Sequence, residues 1–181
     1  MMPILVNRNT KVITQGLAFV GALLLAAPAS AQLAVSPLGD IYESYNDCLK
    51  VAVPEGLKLD ILSSLGWSPA TVTTKDGKPV TDGPTLFGHA KRKPIIFLSV
   101  EKVGAVCTVM ARLDNAKSFA EFTKAWGGKL PAPDKDGIIG FFDDGHPVAL
   151  RQTGTADKPA MTISVMTPPT PAPTPPPTEK K

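Results

Sequence analysis

"PIIFLSVEKVGAVCTVMARL", Pro94 to Leu113, decides how this chain folds. Its first seven residues are a continuous apolar run but for Ser99, the pattern of a central strand buried on both faces. "EKVG" then breaks the run with charge and a glycine. "AVCTVMARL" follows as a second strand, with Cys107, Val109 and Ala111 on one face. Two strands joined by so short a link can only pair antiparallel. The stretch therefore predicts the antiparallel centre of a sheet.

Helical patterns flank this centre. Ile41, Tyr45, Cys48, Leu49 and Ala52 fall at helical spacing, with Asp40 as N-cap and Glu43 three residues on. Pro54 suits the first turn of a second helix, whose face is Leu57, Ile61, Leu62 and Leu65 and whose end is Gly66. "ATVTTKDGKPVT" predicts a hairpin about Asp76-Gly77. Downstream, Asp114 is placed to cap a third helix carrying Phe119, Phe122 and Trp126, stopped by Gly127-Gly128. Short strands are predicted at Ile138 to Phe142, Val148 to Gln152 and Ala160 to Met166. The sum is an α+β fold, a mainly antiparallel sheet packed with about three helices.

Two cysteines, Cys48 and Cys107, are the chain's whole complement. One falls on the apolar stripe of the first helix, the other on the inward face of the second strand. An even count in an exported chain suggests a disulfide, here joining helix to sheet. No C-x-x-C and no neighbouring histidine or basic cluster marks either as a reactive thiol.

The export signal is at the amino end. Arg8 and Lys11 precede an apolar stretch from Val12 to Pro28, and Ala29-Ser30-Ala31 matches the small-x-small site of signal peptidase. Cleavage after Ala31 makes the chain periplasmic or secreted and leaves no transmembrane segment, since no later apolar run approaches about 20 residues. It also removes two of 19 basic and none of 16 acidic residues, so the formal charge falls from +3 to +1. The basic balance of the precursor is thus no argument for nucleic acid binding. The other end, 168–181, is proline-rich, with the composition of a disordered tail or a polyproline II spacer. Residues 32–167 remain as a single domain.

A degenerate internal repeat is also suggested. Cys48 and Trp67 are separated by 19 positions, as are Cys107 and Trp126. "KDG" follows in both halves, and "KPIIFLSV" at Lys93 echoes "KPAMTISV" at Lys158. The pattern predicts two helix–β repeats.

Chemistry-bearing residues are few. No G-x-S-x-G, H-E-x-x-H, phosphate loop or dinucleotide fingerprint is present, and no cofactor is implied. "PAPDKDGIIGFFD" resembles a calcium loop at Asp134, Asp136 and Gly137. It lacks the first acid, where Ala132 stands, and the final glutamate, where Asp143 stands, so no metal site is expected. "HAKRKP" groups His89, Lys91, Arg92 and Lys93 as a ligand or surface patch, or as charged gatekeepers of the apolar strand. "DDGH" offers Asp143, Asp144 and His146 as an acid–base pair, with Ser99, Thr153 or Ser164 as the nucleophile such a pair would need. The same four residues also suit a tight hairpin, Asp144-Gly145 supplying positive φ.

The expected function follows from what is present and what is missing. Export, a staple and no nucleophile–base motif suggest a non-enzymatic binding or accessory protein of the cell envelope, its partner an envelope protein or glycan. A small envelope hydrolase using His146 with Asp143 or Asp144 is the enzymatic alternative. A secreted inhibitor or effector is the third.

Overall fold

The computed structural model describes residues 33–71, 76, 78, 85–101 and 104–169. The expected signal segment 1–31, most of the expected hairpin about Asp76-Gly77 (72–75, 77 and 79–84) and 170–181 of the tail lie outside the described residues. The elements in order are α1 (Leu38–Val51), β1 (Ala52–Val53), β2 (Gly56–Leu57), α2 (Leu59–Ser64), β3 (Trp67–Ala70), β4 (Thr85–His89), β5 (Ile95–Glu101) and β6 (Gly104–Arg112). Then come α3 (Ser118–Thr123) with a 3-10 turn (Lys124–Trp126), β7 (Ile138–Asp143), β8 (His146–Gly154) and β9 (Pro159–Met166). Seven strands form one antiparallel sheet in the order β3-β4-β5-β6-β9-β8-β7, while β1 and β2 make a separate hairpin. The α+β fold with three helices is as the pattern predicts. Among the described residues, no helix is long and apolar enough to cross a membrane.

The opening stretch forms the centre. β5 and β6 pair with Leu98 opposite Cys107 and Ile96 opposite Val109. β9 covers the other edge of β6, with Ile163 opposite Val109 and Val165 opposite Cys107. Directly opposed residues share a face, so these side chains make one apolar surface. Helices lie on that surface. α1 crosses it at β6 and β9, and α2 and α3 add Leu62 and Phe122, both fully buried. The disulfide Cys48–Cys107 ties α1 to β6, with 5.5 Å between the Cα atoms and 59 residues between the two positions. A loop of that length restricts the unfolded chain enough to contribute about 4 kcal/mol.

Local details depart from the pattern for identifiable reasons. Asp40 does not cap α1. The N-cap is Pro37, and Asp40 sits inside the first turn, its Oδ2 accepting the Lys93 amide at 3.2 Å. Pro54 starts no helix. "VPEG", Val53 to Gly56, is instead the tight turn of the β1–β2 hairpin, and α2 begins only at Leu59. Proline second and glycine fourth is β-turn chemistry. Asp114 does not cap α3 either; Asn115 Oδ1 accepts the Lys117 amide at 2.9 Å just before it. Gly66, at φ +94°, closes α2 as the pattern requires, and a Cβ there would stand 2.8 Å from His89 Nε2.

The internal repeat is not realised. Cys48 is helical and Cys107 is in a strand; Trp67 opens a strand and Trp126 closes a 3-10 turn. The two three-strand meanders, β3-β4-β5 and β7-β8-β9, also differ in hand. β5 and β9 both run antiparallel to β6 and direct Leu98 and Ile163 to the same face. Yet β4 lies on one side of β5 and β8 on the opposite side of β9. With direction and face matched, the meanders are mirror images, and no rotation superposes them.

Candidate functional site

"DDGH" forms a two-residue hairpin turn. Asp143 pairs with His146 across it, and Asp144 and Gly145 carry φ of 48° and 79°. The turn delivers both side chains to the helix-bearing face. There Tyr45, from α1, donates its hydroxyl to Asp143 Oδ2 at 2.6 Å. Burial, then the Asp143 hydrogen bond and charge, then Asp144, push the Tyr45 hydroxyl well above its ordinary pKa. Trp126 packs on the tyrosine and, on another side, on Phe141, T-shaped to both rings. His146 is buried, with Nε2 2.6 Å from the carbonyl oxygen of Ala52 and Nδ1 2.9 Å from that of Asp144. Both ring nitrogens are thus engaged by backbone oxygens, one in the hairpin turn and one where α1 runs into β1.

The candidate nucleophiles stand elsewhere. Thr153 is seven residues along β8 from His146, about 23 Å at strand rise. Ser164 faces the other side of the sheet, where its hydroxyl meets that of Thr108 at 2.9 Å. Ser99 pairs opposite Val106 on that same outer face, its Oγ buried and without a partner among the described residues. Asp143 and His146 therefore come together with a tyrosine rather than with an aliphatic hydroxyl.

"HAKRKP" is divided by the fold. His89 Nδ1 accepts the amides of Lys91 at 3.1 Å and Arg92 at 3.2 Å, which fixes the ring proton on Nε2, where it meets the Leu65 carbonyl at 3.2 Å. Arg92 turns inward. Its Nη1 donates to Asp47 Oδ2, and its Nε lies 2.9 Å from Glu43 Oε2. Asp47 is only 2% exposed, and the Trp67 indole N–H donates to the same Oδ2 at 3.0 Å. Lys91 and Lys93 remain at the surface. Nothing in the local sequence marks Asp47 except that it follows Ser44 and precedes Val51 at helical spacing, on the edge of the buried stripe.

Other combinations are too far apart or otherwise occupied. His89 and His146 lie on strands four places apart in the sheet, about 19 Å at ordinary strand spacing, so they share no metal. Asp134 Oδ1 accepts the amides of Asp136 at 2.9 Å and Ile138 at 2.8 Å, which closes a turn and caps the edge of β7.

A further surface is built mostly of aliphatic side chains. A cleft of about 380 Å³ opens between the β1–β2 hairpin, the start of α2, and the ends of β4, β5 and β6. Among the described residues, Leu57, Leu59, Leu98, Val100 and Ala105 line it with Gly56, Thr85 and Ser99, and none of these is charged. Val100 is 86% exposed and Leu59 52%. A large aliphatic side chain standing in water is common singly; two around one uncharged hollow mark a place for another apolar surface.

No protein-family model, no curated protein and no solved structure matches this chain.

Proposed function

We propose that the chain is an exported, periplasmic accessory protein of the cell envelope that binds a partner rather than transforming a substrate. The observation that carries this reading is a division of labour. Asp143, His146 and Arg92 are spent on fastening α1 to the sheet, His89 holds a turn, and Lys91 and Lys93 stay at the surface, whereas the cleft at Leu59 and Val100 is mostly apolar and unclaimed. Its size falls in the range of binding pockets, at their lower end. A buried disulfide suits an oxidising compartment. A mostly aliphatic lining, with only the Thr85 and Ser99 hydroxyls among its described side chains to receive polar groups, supports an apolar segment of an envelope protein over a glycan.

The test uses the full mature chain with a photoreactive residue at Val100, a position exposed enough to accept it. Irradiation in envelope fractions should trap a discrete partner, and Leu59→Asp should reduce the adduct at least tenfold. Recovery of the chain with no partner adduct overturns the reading.

A further inference from the structure

The last strand delivers the chain to the rim of the cleft. Beyond Met166 the Thr167 amide donates to the Ala105 carbonyl at 3.0 Å, continuing the β9–β6 ladder by one residue. Ala105 is itself part of the cleft wall. Alternation along β9 turns Thr167 to the face of Val165 and Cys107, the face on which the cleft lies. The far wall, Leu98 and Val100, belongs to β5, one strand beyond β6. From the end of β9 that wall is two strand spacings away, about 10 Å. The sequence continues from Thr170 to Thr178 without a charge, and acid and lysine appear only at Glu179, Lys180 and Lys181. Nine residues at polyproline rise reach about 28 Å, more than the span required.

We propose that the proline-rich segment after Pro169 docks back into this cleft, as an intramolecular occupant that an external partner displaces. The inference rests on the cleft being the binding surface. Proline fixes φ before binding, so little backbone freedom is lost on docking. Tethering supplies an effective concentration of the order of mM, so even a contact with a dissociation constant near 1 mM is made about half the time. An uncharged segment also suits a cleft whose described side chains carry no charge, where a charged segment would lose hydration without a partner among them.

The photoreactive residue at Val100 tests this in the same full chain, free of envelope extract. Mass mapping should place the main intrachain cross-link within 170–181. Placing two charges in the segment, Ala172→Asp with Pro175→Asp, should reduce that cross-link at least fivefold and increase the partner adduct. A second probe at Leu59 should give the same map. Cross-links to a second copy, or to added fatty acid in preference to the tail, overturn the proposal, as does a tail cross-link that the aspartates leave unchanged. An intrachain cross-link without a partner adduct removes only the accessory function; a partner adduct without the intrachain cross-link removes only the docked tail.

Discussion

On the β3–β4 flank of the sheet α1 is held by a buried charge, and on the β7–β8 flank by a neutral hydroxyl and aromatic rings. Asp47 reaches one way, to the Trp67 indole and the Arg92 guanidinium. Tyr45, two residues earlier, reaches the other way, to Asp143. The Cys48–Cys107 bridge lies between them. A histidine stands at each flank, and each serves backbone groups: His89 gathers the turn before β5, and His146 links the β7–β8 hairpin to the end of α1. The difference lies in what remains if one partner is lost. On the first flank a buried ion is stranded; on the second an acid at the sheet's margin regains water.

The largest expected effect is therefore on the charged flank. Asp47→Ala leaves the Trp67 N–H and the Arg92 Nη1 without their acceptor, Arg92 keeping only the exposed Glu43, and should cost about 3 kcal/mol, the lower end of the range for breaking a buried pair. Urea unfolding checks it, and a loss under 1 kcal/mol would mean that solvent replaces the carboxylate freely. Tyr45→Phe removes one hydrogen bond to a half-buried carboxylate while keeping the ring packing. It should cost about 1.5 kcal/mol by the same measurement. A loss as large as that of Asp47→Ala would erase the contrast between the flanks.

The smallest effect is in alkali. Tyr45 holds its proton more tightly in the folded state than at the ordinary tyrosine value of 10.0. A folded pKa raised above the unfolded one gives stability that is fully present below about pH 10 and is lost as pH rises beyond it. Thermal unfolding from pH 8 to 11 should show a steeper decline for the wild-type chain than for Tyr45→Phe. Parallel curves would count against a buried, acid-facing hydroxyl.

How much of this could be seen in the sequence depends on the range of the interaction. The β5–β6 hairpin is legible because an apolar run, a charged turn and an alternating run lie side by side. Gly66 and Asp144-Gly145 are legible because positive φ selects residues locally. The disulfide is legible because both cysteines fall on apolar faces and no third exists. "VPEG" carried a turn signal that the helical spacing of Leu57 and Ile61 outweighed. Asp47 was not legible: an acid on the edge of a helix stripe looks solvated until Arg92, 45 residues away, turns towards it. For the candidate site, the sequence placed Asp143 and His146 together correctly. It could not place Tyr45 against them or remove the serines to the far face, because strand order is not written in any one segment. The cleft was not visible either, since its walls come from five separate elements.

Strand order also sets a sequence of events. Both cysteines belong to the first 112 residues, and α1 and β3 to β6 are complete before any of β7, β8 or β9 has been supplied. A chain delivered amino end first can therefore close its covalent link around half a sheet. Until β9 arrives, the central strand β6 presents an unpaired edge, the arrangement most prone to capture by another chain. The final eight-residue strand, Pro159–Met166, is what ends that exposure. Chains shortened within β9 should accumulate as linked but adhesive half-sheets, not as unfolded polypeptide.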